Sequence, residues 1–185
     1  MGLVNYFSPS NCDTRYFVIA DRQDLLATIN AVCAEGRWMS TTRFEPTPAW
    51  AHALTEAHCP SHLLLVATGK GQVVGWCRAF PYDGAGGAEI GIGLRKEYRN
   101  RGLGTAMLQK AVRWAHQIGF TYLRLTSRPD NARATYVFKK VGFIPTGRVE
   151  RGLMEMKLDF VPLVIPRRLY LESDKSTLYS LVSSY

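Results

Sequence analysis

Several things are scarce in this chain, and each absence narrows what it can be. No apolar run in its 185 residues approaches the roughly 20 that a bilayer-spanning helix needs. Residues 1–14 lack the basic segment followed by an apolar stretch that marks a secretory leader. Tyr6 stands where a myristoylation motif requires Ser or Thr. These features set the expectation of a cytoplasmic protein with no membrane partner. Cysteine is sparse: Cys12, Cys33, Cys59 and Cys77 are widely separated, form no ligand pair, and are expected as reduced thiols with neither disulfide nor metal. His52, His58, His62 and His116 have no partners at a diagnostic spacing and are assigned no chemistry. Acidic residues are outnumbered, 15 Asp and Glu against 23 Lys and Arg, for a net charge of +8. Such an excess attracts polyanions. Yet no basic run exceeds two residues, and there is no basic stretch interleaved with aromatics, which argues against nucleic acid. Internal repeats, the Gly-x-Gly-x-x-Gly dinucleotide fingerprint and the Gly-Lys-Ser/Thr phosphate loop are all missing.

What is present is enough apolar residue, 46% of the chain, for the core of one domain. The most informative stretch runs from Glu89 to Thr105. Ile90, Ile92 and Leu94 alternate with Glu89, Gly91 and Gly93, the period of a strand with two distinct faces. After it the period becomes helical, with Leu103, Met107, Ala111, Trp114, Ala115 and Ile118 on one stripe. Between the two lies Arg99-x-x-Gly102-x-Gly104. A glycine turn that opens a helix directs unpaired backbone N–H groups and the positive end of the helix dipole the same way, which makes an anion site. Arg95, Lys96, Arg99, Arg101, Lys110 and Arg113 concentrate positive charge around it, so a polyphosphate cofactor is a natural acidic partner.

The rest of the chain reads as alternating elements. A strand over 16–20 precedes a helix with Asp21 as N-cap and Leu25, Leu26, Ile29, Val32 and Cys33 as its stripe. A second helix begins at Thr47-Pro48 and runs to about Ala57. Strands over 62–68 and 72–82 form a hairpin around Gly69-Lys70-Gly71. Gly119 closes the long helix, and a strand follows over 122–127. A helix from Asn131 carries Ala134, Val137, Phe138 and Val141 on one stripe, Gly142 ends it, and a hairpin finishes with a strand over 154–160. This order predicts a mixed α/β fold, a twisted mixed sheet with helices on both faces.

Two motifs carry a family resemblance. Arg99-x-x-Gly102-x-Gly104, after a strand and before an amphipathic helix, resembles the Gln/Arg-x-x-Gly-x-Gly/Ala signature of the GCN5-related N-acetyltransferase (GNAT) superfamily. One strand later, Asn131-x-x-Ala134-x-x-x-Phe138-x-x-x-Gly142-Phe143 is similar to the family's Asn-x-x-Ala-x-x-x-Tyr-x-x-x-Gly-Phe signature. The likeness covers roughly residues 16–160, is most specific over 89–143, and assigns 14–160 to a GNAT domain and 161–185 to a C-terminal extension. Leu178, Leu181, Val182 and Tyr185 would share one face of a helix in that extension, so docking, a homodimer contact or disorder are its alternatives, and the protein is a monomer or a homodimer.

The resemblance implies the acyl-CoA N-acyltransferase fold, acetyl-CoA as co-substrate, no metal, and direct transfer of acetyl to a primary amine of an unidentified acceptor. It implies that the backbone of Ile92, Gly93 and Leu94 meets the pantetheine arm. The N–H groups of Asn100, Arg101, Gly102, Leu103, Gly104 and Thr105, with Arg99, would hold the pyrophosphate, and Asn131 and Phe138 the far wall. Gly91 and Gly93 are expected to leave room above the strand for the extended ligand. Glu89 is the candidate general base, with an ion pair to a nearby Arg as its plain alternative. Glu35, Trp38 and Phe44, with Glu45, flank the acceptor side or are plain loop residues. Trp76 and Phe80 read as core or cleft wall.

The chain departs from the family pattern in two places. Phe138 replaces the tyrosine that protonates the leaving thiolate, and Tyr136 faces away from it on the helix. Thr126 stands where enzymes acetylating ribosomal-protein N-termini carry Glu. The alternatives are an acyl-CoA-binding protein without turnover, motivated by Phe138, and a basic nucleic-acid-binding protein, motivated by charge.

Overall fold

The structure, a computed structural model, describes residues 12–39, 41–84 and 86–160. The extension over 161–185, for which a helix, docking, a dimer contact and disorder are the alternatives, lies outside the described residues.

The layering is set by which way the side chains of one strand point. In β3 (Gln72–Tyr82) Cys77 and Ala79 face one core, while Trp76 and Phe80 face another. Near its start the alternation breaks. Pairing with β2 (Leu63–Gly69) passes from Val73–Thr68 to Gly75–Ala67 and skips Val74. This bulge turns Val74 toward Cys77 and Ala79, and Val73 toward Trp76. The chain therefore buries apolar residues on both faces of one sheet, and helices must cover both.

They do so in the order expected. β1 (Cys12–Tyr16) is followed by α1 (Arg22–Cys33) and α2 (Pro48–Ala53), which cover the Trp76 face. After β2, β3 and β4 (Gly87–Leu94) comes α3 (Leu103–Ile118), then β5 (Tyr122–Ser127), α4 (Ala132–Val141), β6 (Ile144–Glu150) and β7 (Leu153–Asp159). α3 and α4 cover the opposite face, where Met107, Leu108, Ala111 and Ala115 meet Leu65, Ile90, Leu123 and Leu125. The sheet has seven strands in the order β1-β2-β3-β4-β5-β7-β6, antiparallel throughout except between β4 and β5. No helix of the described residues is long and apolar enough to cross a membrane.

Several local expectations are corrected. The first strand lies at 12–16 rather than 16–20, because it pairs with β2 through Tyr16–Leu65 and then breaks into a 3-10 turn at Ile19–Asp21. Asp21 does not cap α1: its carboxylate accepts from both terminal nitrogens of Arg15, at 2.6 and 2.7 Å, and from the Val18 N–H. α2 stops at Ala53, short of Ala57. On α3 the buried stripe takes in Leu108 and leaves Ile118 exposed. Gly119 and Gly142 do close their helices, both with left-handed backbone.

Candidate functional site

β4 and β5 begin as partners and then part. Their parallel ladder covers Gly87–Tyr122, Ala88–Leu123 and Glu89–Arg124 and goes no further. Beyond it β5 stays with β7, through Leu125–Met156 to Ser127–Met154, while β4 stays with β3, from Ile90–Ala79 to Leu94–Gly75. A fork opens at Glu89, and among the described residues the β4 backbone from Ile90 onward has a partner strand on one side alone. An unpaired strand edge inside a fold is a template for an extended ligand.

The turn after β4 closes the same space. A 3-10 turn at Lys96–Tyr98 leads to Asn100 and Gly102, both with left-handed backbone (φ 61° and 81°). Gly102 is the N-cap of α3, and no side chain caps this end. The first bond of the helix runs from the Ala106 N–H to the Gly102 carbonyl, so the N–H groups of Leu103, Gly104 and Thr105 precede it. Together these elements surround a cavity of about 440 Å³.

Most of the sequence-predicted residues meet there. Glu89, Ile92, Gly93, Leu94, Arg99, Asn100, Gly102, Gly104, Thr105, Asn131 and Phe138 line the cavity, as do Trp38 and Phe44 on the opposite side. Asn131 also supports the fold, since its side-chain oxygen accepts the Ala134 N–H at 3.2 Å and caps α4. Others stand elsewhere. Leu103 is buried and is not among the lining residues. Arg101 is exposed, its guanidinium 5.6 Å above the Tyr98 ring. Glu35 lies outside the lining and is bound instead to Arg99, whose Nη1 donates to Oε2 at 2.8 Å and whose Nη2 donates to Oε1. Of the other basic residues expected around the turn, Arg95 donates to Thr28 and Lys110 to the Thr14 carbonyl, so these two are engaged within the fold.

The room expected above β4 is taken. A Cβ at Gly93 would lie 2.2 Å from the Trp76 ring, and one at Gly91 would lie 3.2 Å from Arg78 Nε. These glycines make space for large cross-strand neighbours, because Trp76 and Arg78 pair directly with them. The opening for a ligand is the strand edge, not its face.

Glu89 sits at the head of the fork between two guanidinium groups. Arg78 Nη2 donates to Oε1 at 2.6 Å, and Arg78 Nη1 donates to the Glu89 carbonyl at 3.2 Å. Arg124 Nε is 3.8 Å from Oε2, while Arg124 Nη1 bonds Tyr82 and lies 3.3 Å from Glu155. Arg78, Arg128 and Arg133 all line the cavity without standing out in the sequence. Single arginines carry no spacing signal, and the Arg78–Gly91 register that aims one of them becomes visible only once strands are paired. Phe138 is buried, Tyr136 is exposed, and among the described residues no tyrosine lines the cavity.

A second group is one that sequence reasoning missed. His52, Cys59 and His62 offer ligand atoms that all lie within 4.8 Å of one another. Hydrogen bonds from Ser61 first, then from His52 and His62, hold the Cys59 thiol down to about 6. Cys77, by contrast, is fully buried, and burial pushes its thiol up to about 12. The available signal is the Cys59-x-x-His62 spacing, which a comparison of cysteines with cysteines alone does not reveal.

Known proteins share this fold. An acetyltransferase of the GNAT family from Streptococcus pneumoniae superposes with a TM-score of 0.73 at 23% identity, covering 82% of this chain and 100% of that one. A candidate acetyltransferase from Salmonella typhimurium, solved with its cofactor acetyl-CoA, superposes at 0.69 with 18% identity, covering 85% and 98%. At such identities the likeness is one of fold. Streptothricin acetyltransferase A of Bacillus subtilis (strain 168) is 40% identical over 53 residues, 29% of this chain and 31% of that protein, so this chain spans about a third of that relative's length. The model of the acetyltransferase (GNAT) family matches residues 13–143, most of the described structure, and the chain belongs to that family.

Proposed function

We propose that this protein moves the acetyl group of acetyl-CoA to a primary amine by direct transfer. The observation that carries the reading is the fork at Glu89, whose unpaired β4 edge runs straight into the uncapped start of α3. The residues present fit the cofactor. The edge over Ile92, Gly93 and Leu94 would hold an extended arm by backbone hydrogen bonds. The N–H groups of Leu103, Gly104 and Thr105, aided by the helix dipole, would hold a pyrophosphate. Gly104 has open surroundings, since a Cβ there would touch Leu94 and Ile92 no closer than 3.6 Å. The bound cofactor supplies an activated acetyl group on a thiol leaving group.

The chain's own residues do the rest. Trp38, Phe44 and Trp50 form an apolar wall opposite the turn and shield the reacting amine from water. Glu89 is the candidate base. Arg78 holds its Oε1 in place, and the carboxylate receives the amine proton directly or through one water. Phe138 gives no proton to the leaving thiolate, so the proton comes from water or from a residue elsewhere. Thr126, which lines the cavity, leaves no carboxylate at that position and disfavours ribosomal-protein N-termini as acceptors.

The test is a pair of measurements. Saturating acetyl-CoA, and not ATP at equal concentration, should raise the melting temperature: ligand at about 100 times its Kd adds about 2.7 kcal/mol, several degrees for a domain of this size. Thiol release during a screen of amines should then find the acceptor. Binding without thiol release from any amine would favour an acyl-CoA-binding protein without turnover, the reading that Phe138 motivates. No shift with acetyl-CoA would remove the main support for both.

A further inference from the structure

We propose that His52, Cys59 and His62 form a binding site for a zinc-class divalent transition-metal ion, behind the acceptor-side wall of the cavity and separate from it. Cys59 Sγ lies 3.3 Å from His62 Nδ1, and the ring centroids of His52 and His62 are 4.7 Å apart with the planes tilted by 58°. A tetrahedral ion with bonds of about 2.0–2.1 Å to nitrogen and about 2.3 Å to sulfur needs ligand atoms about 3.3–3.7 Å apart. The three atoms here, all within 4.8 Å of one another, reach that spacing by side-chain adjustment alone. Thiolate and imidazole together select zinc-class ions over magnesium or calcium.

The backbone pre-arranges the set. The Glu56 N–H donates to the His52 carbonyl at 2.8 Å, the Cys59 N–H to the Glu56 carbonyl at 3.0 Å, and the His62 N–H to the Cys59 carbonyl at 3.4 Å. Each ligand is thus set by a turn anchored on the one before. Ser61 Oγ touches both Cys59 Sγ, at 3.4 Å, and His62 Nδ1, at 3.1 Å, and can keep a hydrogen bond to the sulfur when the ion takes the nitrogen. Binding replaces the protons shared among these atoms and releases them to solvent. Three protein ligands leave a fourth position for water.

The ion would fasten the end of α2 to the start of β2. The His62 ring packs 5.3 Å from Phe80, and Phe80 packs 5.4 Å from Trp50, which is carried by α2 and lines the cavity. The site would therefore stiffen that wall without touching substrate.

Titration of the metal-free full chain with Co2+ tests this. One equivalent should produce tetrahedral d–d bands and a thiolate-to-cobalt charge-transfer band, both displaced by Zn2+. Cys59→Ser should abolish the charge-transfer band, and Cys12→Ser, which alters another partly exposed thiol, should keep it. Zn2+ should raise the melting temperature of the wild type by several degrees and that of Cys59→Ser not at all. Should Cys59→Ser fold poorly, His52→Asn, on the exposed side of α2, should weaken zinc at least tenfold while leaving the metal-free melting temperature unchanged. No charge-transfer band in the wild type would overturn the proposal and leave a thiol–imidazole hydrogen-bond cluster. A band surviving in Cys59→Ser, or zinc affinity within threefold of wild type in His52→Asn, would overturn it as well.

Discussion

Arg99 ties α1 to the cavity turn: its two terminal nitrogens clasp the Glu35 carboxylate and its Nε donates to the Leu94 carbonyl at 2.8 Å. The pair is largely shielded, with side-chain exposures of 11% for Arg99 and 25% for Glu35. Arg99 thus holds the turn in shape, bracing the last residue of β4 against the end of α1. A two-pronged pair of this kind should exceed the roughly 0.2–1 kcal/mol of exposed pairs. A double-mutant cycle of Glu35→Gln and Arg99→Gln, read by chemical denaturation, should give a coupling energy of about 1–2 kcal/mol. If Arg99 instead acts alone on the cofactor, the two changes will be additive in stability, and Arg99→Gln alone will weaken acetyl-CoA.

Two glycines of the site should respond in opposite ways. Gly93→Ala drives a methyl group into the Trp76 ring, which the sheet cannot yield without displacing a buried side chain. It should cost about 1–3 kcal/mol of stability, the range for overpacked cores. Gly104→Ala meets Leu94 and Ile92 at ordinary contact distance and sits in a helix, where Ala is favoured over Gly. Its stability should be equal to or slightly above wild type, and its affinity for acetyl-CoA should stay close to that of wild type, because the signature this turn resembles takes Gly or Ala at that position. Denaturation and calorimetric titration on both variants separate the effects. A Gly104→Ala variant that loses stability would contradict the open surroundings of that position.

The Arg15–Asp21 pair predicts a pH dependence. The Arg15 guanidinium, against the opposing effect of burial, holds the Asp21 carboxyl below the usual carboxylate range, helped by the Val18 N–H. A carboxylate whose folded pKa is lowered stabilises the protein above its unfolded pKa, about 3.9, and that contribution is lost as pH falls through the folded value. Asp21→Asn should therefore cost about 1–2 kcal/mol near neutral pH, the scale of hydrogen bonds to a charged group. The gap between the two proteins should narrow steadily below about pH 4. A gap that stays constant from pH 7 down to pH 3 would mean that the loss is one of shape rather than charge.

Much of this is legible in the residues, for reasons of period and punctuation. Alternation bounded by turn residues places β3 and β5, and stripes ended by Gly119 and Gly142 place α3 and α4. The glycine turn announces the uncapped helix start. What the residues withhold is pairing. Gly91 and Gly93 read as room for a ligand because their partners across the ladder, Arg78 and Trp76, follow from register alone. Arg99 and Glu35, 64 residues apart, carry no local sign of each other. Asp21 looks like a cap because caps are local, whereas its actual partner lies on the preceding strand. The His52–Cys59–His62 group mixes two residue types over a turn, so a count of either type alone does not show it.

The sharpest question is what Glu89 does, since it is the proposed base and is also bound to the Arg78 guanidinium. Glu89→Gln keeps the shape and an oxygen that can still accept from Arg78, but removes the charge. If Glu89 is the base, kcat should fall by about 10²–10⁴-fold with the KM for acetyl-CoA and the melting shift it induces unchanged. A loss confined to kcat cannot come from a disturbed cofactor site, because the strand edge and the start of α3 that would hold the cofactor do not depend on the Glu89 charge. If Glu89 mainly positions Arg78, kcat should drop less than tenfold and Arg78→Lys should reproduce the defect. The deciding arm is the pair of variants together: a large kcat loss in Glu89→Gln beside near-normal turnover in Arg78→Lys assigns the proton to Glu89, and equal losses assign the carboxylate to holding the fork.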